Sequence, residues 1–241
     1  MPLDWRHRMP THTRANPPWW DHQRHTLVRL RQQIEAEIEG LDVHPGDVIV
    51  DMGCGDMPYR PLFEKRGATY VGCDIDGEAA VPIAAGNPVP LESATAAVVV
   101  SFQVLEHVWD LNWYLGECRR LLRRDGRLLL TTHGTWLYHP HPTDFRRWTR
   151  DGLVEEVQAH GFTIERIIGI VGPLAWTTQF RLLGFREVLR RVPVIGAAAL
   201  PPLSVLMNLR MAIEDAVTPD GIRQTNASVY LVVCHPSENR S

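Results

Sequence analysis

The chain has few cysteines: Cys54, Cys73, Cys118 and Cys234 are the only four in 241 residues, widely spaced and without a C-x-x-C. That spacing argues against a zinc knuckle and a disulfide scaffold, and points to a reducing, cytoplasmic setting. Neither sign of charge dominates. The net charge is −3 and charged residues make up 22%, so nothing recommends nucleic acid as a partner. The pairs Arg119-Arg120, Arg123-Arg124 and Arg146-Arg147 read as solvated helix faces. The first residues lack the apolar h-region of a signal peptide, and there are no internal repeats or low-complexity tracts. One uncharged stretch, Val192 to Leu209, runs 18 residues, but Pro193, Pro201 and Pro202 interrupt it. That length is near the lower limit for a membrane span. We expect no span here, but a buried or lid segment, or a dimer or membrane-surface contact.

What is present is a regular alternation. Hydrophobic residues make up 44%, and the length suits one α/β domain with extensions. Residues 1–18 read as an arm leading to Trp19-Trp20 and to Asp21, a candidate helix cap. Leu27, Leu30, Ile34 and Ile38 have amphipathic helical spacing that stops at Gly40. Strands are expected at 48–51, 69–73, 97–102, 127–132, 162–170 and 228–234, with a short one near 80–84. Helices are expected near 58–66, 110–123 and 150–160, and 173–216 reads as mostly helical. The pattern predicts a parallel sheet with helices on both faces. The arm and first helix take 1–40. The main domain takes 41–241, with a helical insertion at about 173–216.

The strongest motif is Val48-Ile49-Val50-Asp51-Met52-Gly53-Cys54-Gly55-Asp56. A strand ends in an acid, and two glycines open the turn. A second strand ends in Asp74, 23 residues after Asp51. This is how an open α/β sheet builds a nucleoside pocket. A dinucleotide fingerprint needs a third glycine where this chain has Pro58, so a pyrophosphate fits poorly.

Three segments, Val48 to Asp56, Val71 to Asp76 and Val98 to Val108, resemble successive motifs of class I S-adenosylmethionine-dependent methyltransferases. Arg119 to Thr132 is similar to that family's turn into strand five. The resemblance covers roughly 45–170 and the last strand. It implies a Rossmann-like fold with a mostly parallel seven-stranded sheet, and S-adenosylmethionine as cofactor. By position, Asp51, Gly53 and Gly55 would line the methionine and ribose part. Asp74 would bind the ribose diol and Ile75 would pack on adenine. Ser101 and Gln103 would face the methionine and methyl group. Asn87 is a weak substitute for the family's adenine-binding Asp, and Ala97 replaces its usual Asp at the start of strand four.

Glu106-His107 is similar to a metal-binding Glu-His of ubiquinone-type O-methyltransferases. Gln103 stands where those have another Glu, so the pair reads as a polar anchor and a divalent metal is not expected. A second constellation follows strand five: His133, Trp136, His139, His141, Asp144 and Trp148 within 19 residues. Histidine near neutral pH can take a hydroxyl proton. His139 or His141 is the expected base, with Asp144 as its orienter or a substrate clamp. His139, His141 and Asp144 are also zinc-ligand types. The His-x-Pro-x-Asp-x-x-Arg-x-Thr run resembles bacterial methyltransferases of polysaccharide and glycan synthesis.

Together these readings predict O-methyl transfer to a small-molecule or oligosaccharide acceptor, most simply a saccharide hydroxyl. The alternatives are a small-molecule N- or C-methyltransferase and a non-catalytic S-adenosylmethionine-binding scaffold. The insertion and Trp19-Trp20 are expected to close over the acceptor or to form a homodimer contact.

Overall fold

The computed structural model describes residues 16–75, 79–140 and 143–238. Seven strands form one sheet in the order β3-β2-β1-β4-β5-β7-β6. They are β1 (Val48–Met52), β2 (Thr69–Asp74), β3 (Val81–Pro82), β4 (Ala96–Phe102), β5 (Leu122–His133), β6 (Phe162–Ile170) and β7 (Val229–Pro236). The first five run parallel, and β7 pairs antiparallel with both β5 and β6. The central strands are apolar on both faces: β4 reads Ala-Ala-Val-Val-Val-Ser-Phe and only Phe102 is not fully buried. A strand covered by helices on both sides needs that continuous pattern rather than alternation.

Helices α1 (Arg24–Gly40), α2 (Arg60–Glu64), α3 (Leu111–Leu121), α4 (Arg150–Ala159), α5 (Pro173–Leu189), α6 (Pro193–Val217) and α7 (Asp220–Thr225) complete the described chain. One core layer joins the sheet to Leu115 and Cys118 of α3 and Leu153 and Val157 of α4. The other joins it to Leu30, Ile34 and Ile38 of α1, Leu182 of α5 and Met211 of α6. The expected alternation therefore becomes a sheet filled from both sides.

Local outcomes differ from the expectations in three places. Helix α2 is a single short turn that begins at Arg60, with Pro61 in its first turn, where proline's missing N–H costs nothing. Asp21 does not cap α1: Gln23 holds that position, and Asp21 Oδ1 accepts the Gln23 N–H one turn earlier at 2.6 Å. Helix α7 carried no signal long enough to mark it.

The insertion is a helical hairpin of α5 and α6. By length and composition α6 is long and apolar enough to cross a membrane. Its inner face is nonetheless built into the fold. Asn208 accepts the His25 N–H at 3.1 Å and donates to the Asp21 carbonyl at 2.8 Å. Asp215 accepts the Gly172 N–H at 2.9 Å and lies 3.2 Å from Arg29. Its outer face leaves Leu206, Ile213 and Val217 exposed.

Candidate functional site

The glycine turn after β1 is held by backbone bonds. The Gly53 and Cys54 N–H groups both donate to the Cys73 carbonyl, at 2.8 and 3.0 Å. Gly53 has φ +82°, and a Cβ there would lie 2.6 Å from Val104 Cγ2, so only glycine fits. The Gly55 N–H donates to Asp74 Oδ2 at 2.8 Å. The space beside Gly55, where a side chain would stand, is open. Ile75 follows Asp74 and is exposed. An open cradle, an acid at the next strand end and an apolar side chain beside it fit a ribose diol and an adenine.

Asp51 lies deeper, fully buried, and accepts the Tyr70 hydroxyl. Burial pushes its carboxyl up to about 7. The Tyr70 hydrogen bond opposes that shift, and the Asp74 charge adds to it.

Other expected cofactor residues have partners within the protein. Ser101 points into the core, 2.7 Å from the Tyr114 hydroxyl, which donates to the Met52 carbonyl at 2.8 Å. With that proton spent, Ser101 Oγ is the donor of its own bond. Asn87 is exposed, and its carbonyl accepts Trp113 Nε1 at 2.6 Å. Gln103 directly follows β4 at φ +58°, a left-handed conformation costly for a non-glycine residue. Its N–H donates to the Thr131 carbonyl at 2.9 Å and its side-chain amide to Thr131 Oγ1 at 3.0 Å.

The structure gathers Glu106, His133 and His139 into one cluster. The parallel register pairs Phe102 with Thr131, so the short turn after β4 and the end of β5 emerge side by side. Glu106 is fully buried; its Oε2 accepts the Thr132 hydroxyl at 2.9 Å and its Oε1 lies 2.9 Å from His133 Nδ1. His139 Nε2 lies 3.2 Å from the same Nδ1. His133 holds the Glu106 carboxyl below the usual range against its burial. Burial, with His133 nearby, pushes His139 down to about 4, which leaves a neutral imidazole at neutral pH. His107 lies further out: its Nδ1 contacts the Thr143 carbonyl and its ring centroid is 5.0 Å from that of His139.

Asp144 serves the loop rather than an imidazole. Its carboxylate accepts the His139 backbone N–H at 2.9 Å and both Arg147 terminal nitrogens, at 2.5 and 2.6 Å. These bonds bring its carboxyl down to about 2 despite burial. Arg147 also donates to the Trp136 carbonyl at 3.1 Å and the Leu137 carbonyl at 2.7 Å. Asp144 thus positions His139 through the main chain. His141 lies outside the described residues.

The Trp136 ring stacks on His133, with centroids 5.1 Å apart and planes 5° from parallel. Phe180 of α5 meets its edge, so the insertion does reach the loop. A recess of about 270 Å³ beside the loop is lined by Trp136, Tyr138, Asp144, Phe145, Arg146 and Arg147. In the sequence Glu106 and the loop histidines stand apart as separate candidates. Only the register between β4 and β5 brings them together.

Comparison with known proteins gives a family likeness and a fold likeness. A family model described as a methyltransferase domain matches residues 50–130. A probable S-adenosylmethionine-dependent methyltransferase of Mycolicibacterium smegmatis is 28% identical over 173 residues, covering 65% of this chain and 64% of that protein. A ubiquinone biosynthesis O-methyltransferase of Pseudomonas paraeruginosa is 30% identical over 138 residues, covering 47% of this chain and 57% of that protein. The matches therefore span less than two thirds of these relatives. Among solved structures, the methyltransferase partner of the Haloferax volcanii Trm112 activator aligns with a TM-score of 0.57 at 15% identity, covering 95% of this chain and 98% of that one. The [4+2]-cyclase SpnF aligns at 0.56 and 15% identity, covering 87% and 82%. At such identities these structures speak for the fold alone.

Proposed function

We propose that the chain is a class I S-adenosylmethionine-dependent methyltransferase that transfers a methyl group to a hydroxyl oxygen, with a saccharide as the acceptor; the methyltransferase-domain match over residues 50–130 supports the first part. The observation that carries O-transfer is the Glu106–His133–His139 cluster at the ends of β4 and β5, the sheet edge where such folds bind ligands.

When bound, S-adenosylmethionine would supply an electrophilic methyl on a sulfonium, open to in-line attack by an aligned oxygen with the thioether sulfur as leaving group. This chain's residues do the rest. Asp74 holds the ribose hydroxyls, with Gly53 and Gly55 giving backbone access beside it. Gln103, fixed by Thr131, borders the reacting edge. The histidine cluster is the centre that removes the acceptor proton. Burial keeps the His139 imidazole neutral and so able to accept a proton, and the Glu106 carboxylate nearby offsets the charge that it would gain. Alignment of acceptor and methyl supplies much of the rate.

The saccharide reading rests on the recess of Trp136, Tyr138 and Phe145, whose ring faces suit the C–H faces of a sugar, and on the loop's likeness to glycan methyltransferases. A second reading is an acceptor of the ubiquinone-biosynthesis type, favoured by that relative. The test is product analysis with S-adenosylmethionine and a panel of sugars, phenols and amines. O-methylation that falls about 100-fold or more in His139→Ala, with S-adenosylhomocysteine binding retained, supports the reading. Methylation of nitrogen or carbon alone, or full turnover by His139→Ala, removes it.

A further inference from the structure

Two features of the histidine cluster call for more than a proton relay. The first is geometric. Glu106 follows β4, and His133 and His139 lie at the end of β5 and in the loop after it, yet their ligand atoms all lie within 4.8 Å of one another. His133 Nδ1 is 2.9 Å from Glu106 Oε1 and 3.2 Å from His139 Nε2. A tetrahedral ion with bonds of about 2.0–2.1 Å sets its ligand atoms about 3.3 Å apart. Two of the three edges are already near that length.

The second feature is a shortage of protons. Glu106 Oε1 is wholly buried, and although it is within ion-pair distance of His133 it makes no aligned hydrogen bond. One Nδ1 position on His133 cannot hold a single proton for both a carboxylate oxygen and a second imidazole nitrogen. If His139 donates to that nitrogen, a lone pair faces the carboxylate. Such an arrangement is costly in a buried site. A cation at the meeting point turns three competing lone pairs into three ligands.

We propose that Glu106 Oε1, His133 Nδ1 and His139 Nε2 form a three-ligand site for a divalent cation of the zinc type, with a fourth position open to the acceptor oxygen. Two imidazoles and one carboxylate with an open position is the make-up of a catalytic zinc site. The supports of the ligands are in place: Thr132 bonds the other Glu106 oxygen at 2.9 Å, Trp136 stacks on His133, and Asp144 holds the His139 main chain. Such outer contacts orient ligands and tune the ion. The site shares only Glu106 with the Glu106-His107 pair and only His139 with the His139-His141-Asp144 set read from sequence. His107 Nδ1 is committed to the Thr143 carbonyl, with its Nε2 3.9 Å from Glu106 Oε1, while Asp144 is committed to Arg147 and the Gln103 amide to Thr131.

For its catalytic part the proposal rests on the O-transfer reading. An acceptor hydroxyl at the open position would release its proton to solvent water, because the ion stabilises the alkoxide. That oxygen then forms the C–O bond as the C–S bond breaks, leaving S-adenosylhomocysteine. With the ion in place His139 is a ligand, and the ion takes over the work of the base.

The test uses untagged, chelator-stripped full chain titrated with Co²⁺ and Zn²⁺ alone. The expected result is one equivalent per chain, with a tetrahedral Co²⁺ spectrum that shows no thiolate band and is displaced by Zn²⁺. Affinity should drop at least about 100-fold in His139→Ala and in Glu106→Gln, while both variants still bind S-adenosylhomocysteine. Should a buried Glu106→Gln fail to fold, the partly exposed His139→Ala carries the test. No stoichiometric binding, or binding indifferent to His139→Ala, overturns the site. An ion that binds in a protein methylating no hydroxyl supports the site and removes O-transfer. O-methylation by a protein that binds no ion supports O-transfer and overturns the site.

Discussion

The Gly55 N–H donates to Asp74 Oδ2 at 2.8 Å, which joins the turn after β1 to the end of β2 by one charge-assisted bond. An acid used this way is already fixed where a ribose diol would meet it. Asp74→Ala removes the diol's acceptor and loosens the turn. At about 1.5–3 kcal/mol per hydrogen bond to a charged group, S-adenosylhomocysteine affinity should fall at least about tenfold in calorimetry. Unchanged affinity would mean that the pocket lies elsewhere.

Asp51 gives the protein a specific pH response. Its carboxyl is raised from 3.8 to about 7, chiefly by burial. Below about pH 4 the group is protonated in both folded and unfolded chains, and its contribution to stability is fully present. As pH rises the unfolded chain ionises first, so that contribution declines and is lost as pH passes the folded value near 7. At 1.36 kcal/mol per unit the loss approaches about 4 kcal/mol. His22 and His139, both held down to about 4, act in the opposite sense between about pH 4 and 6.5. The measurement is therefore parent against Asp51→Asn. Urea unfolding at pH 5 and pH 8 should show the variant gaining on the parent at the higher pH. Parallel profiles would refute the assignment.

Asp144 and Arg147 should act as one unit. The Asp144 side chain is 3% exposed, and removing one partner leaves the other's hydrogen-bonding groups unmet. Asp144→Ala should cost about 1–3 kcal/mol and raise amide exchange across the described loop residues. Arg147→Lys should not rescue it, because an ammonium cannot serve Asp144, Trp136 and Leu137 together as the planar fork does. S-adenosylhomocysteine binding should survive in both. A double-mutant cycle with no coupling would refute the shared role.

Tyr138 is 77% exposed at the edge of the recess, so it offers a clean probe of acceptor binding. Tyr138→Ala should leave stability within about 0.5 kcal/mol. It should raise the acceptor's KM about three- to tenfold, the worth of one aromatic contact, with a smaller effect on kcat. Unchanged KM for a saccharide would direct the search for the acceptor away from this recess.

Much of this architecture is legible in the residues. Val48 to Asp56 and the acid at Asp74 announce a nucleoside edge because glycines and a strand-end acid have few other uses at that spacing. The apolar runs of β4 and β5 mark buried parallel strands. What is not legible is lateral placement. Glu106 and His133 are 27 positions apart in the chain, and only the pairing of Phe102 with Thr131 makes them neighbours. The resemblance places Ser101 beside the methionine moiety of the cofactor. The pleat turns it toward Tyr114 instead, and a strand buried on both faces has no polar alternation to reveal that. The sequence pattern offers Asp144 as an orienter of an imidazole or a substrate clamp, but Arg147, three residues on, claims it.

The sheet's strand order has a kinetic side. The strand built from Val229–Pro236 lies between two that precede it in the chain, β5 and β6. Until those eight residues arrive, both neighbours present bare edges flanking a gap, and such edges invite pairing with other chains. The hairpin of α5 and α6 lengthens that delay, since it is synthesised between β6 and the strand that must separate it from β5. A chain interrupted before Val229 would therefore be more than a shortened enzyme. It would be an aggregation-prone intermediate, with β6 cut off from the sheet to which it belongs.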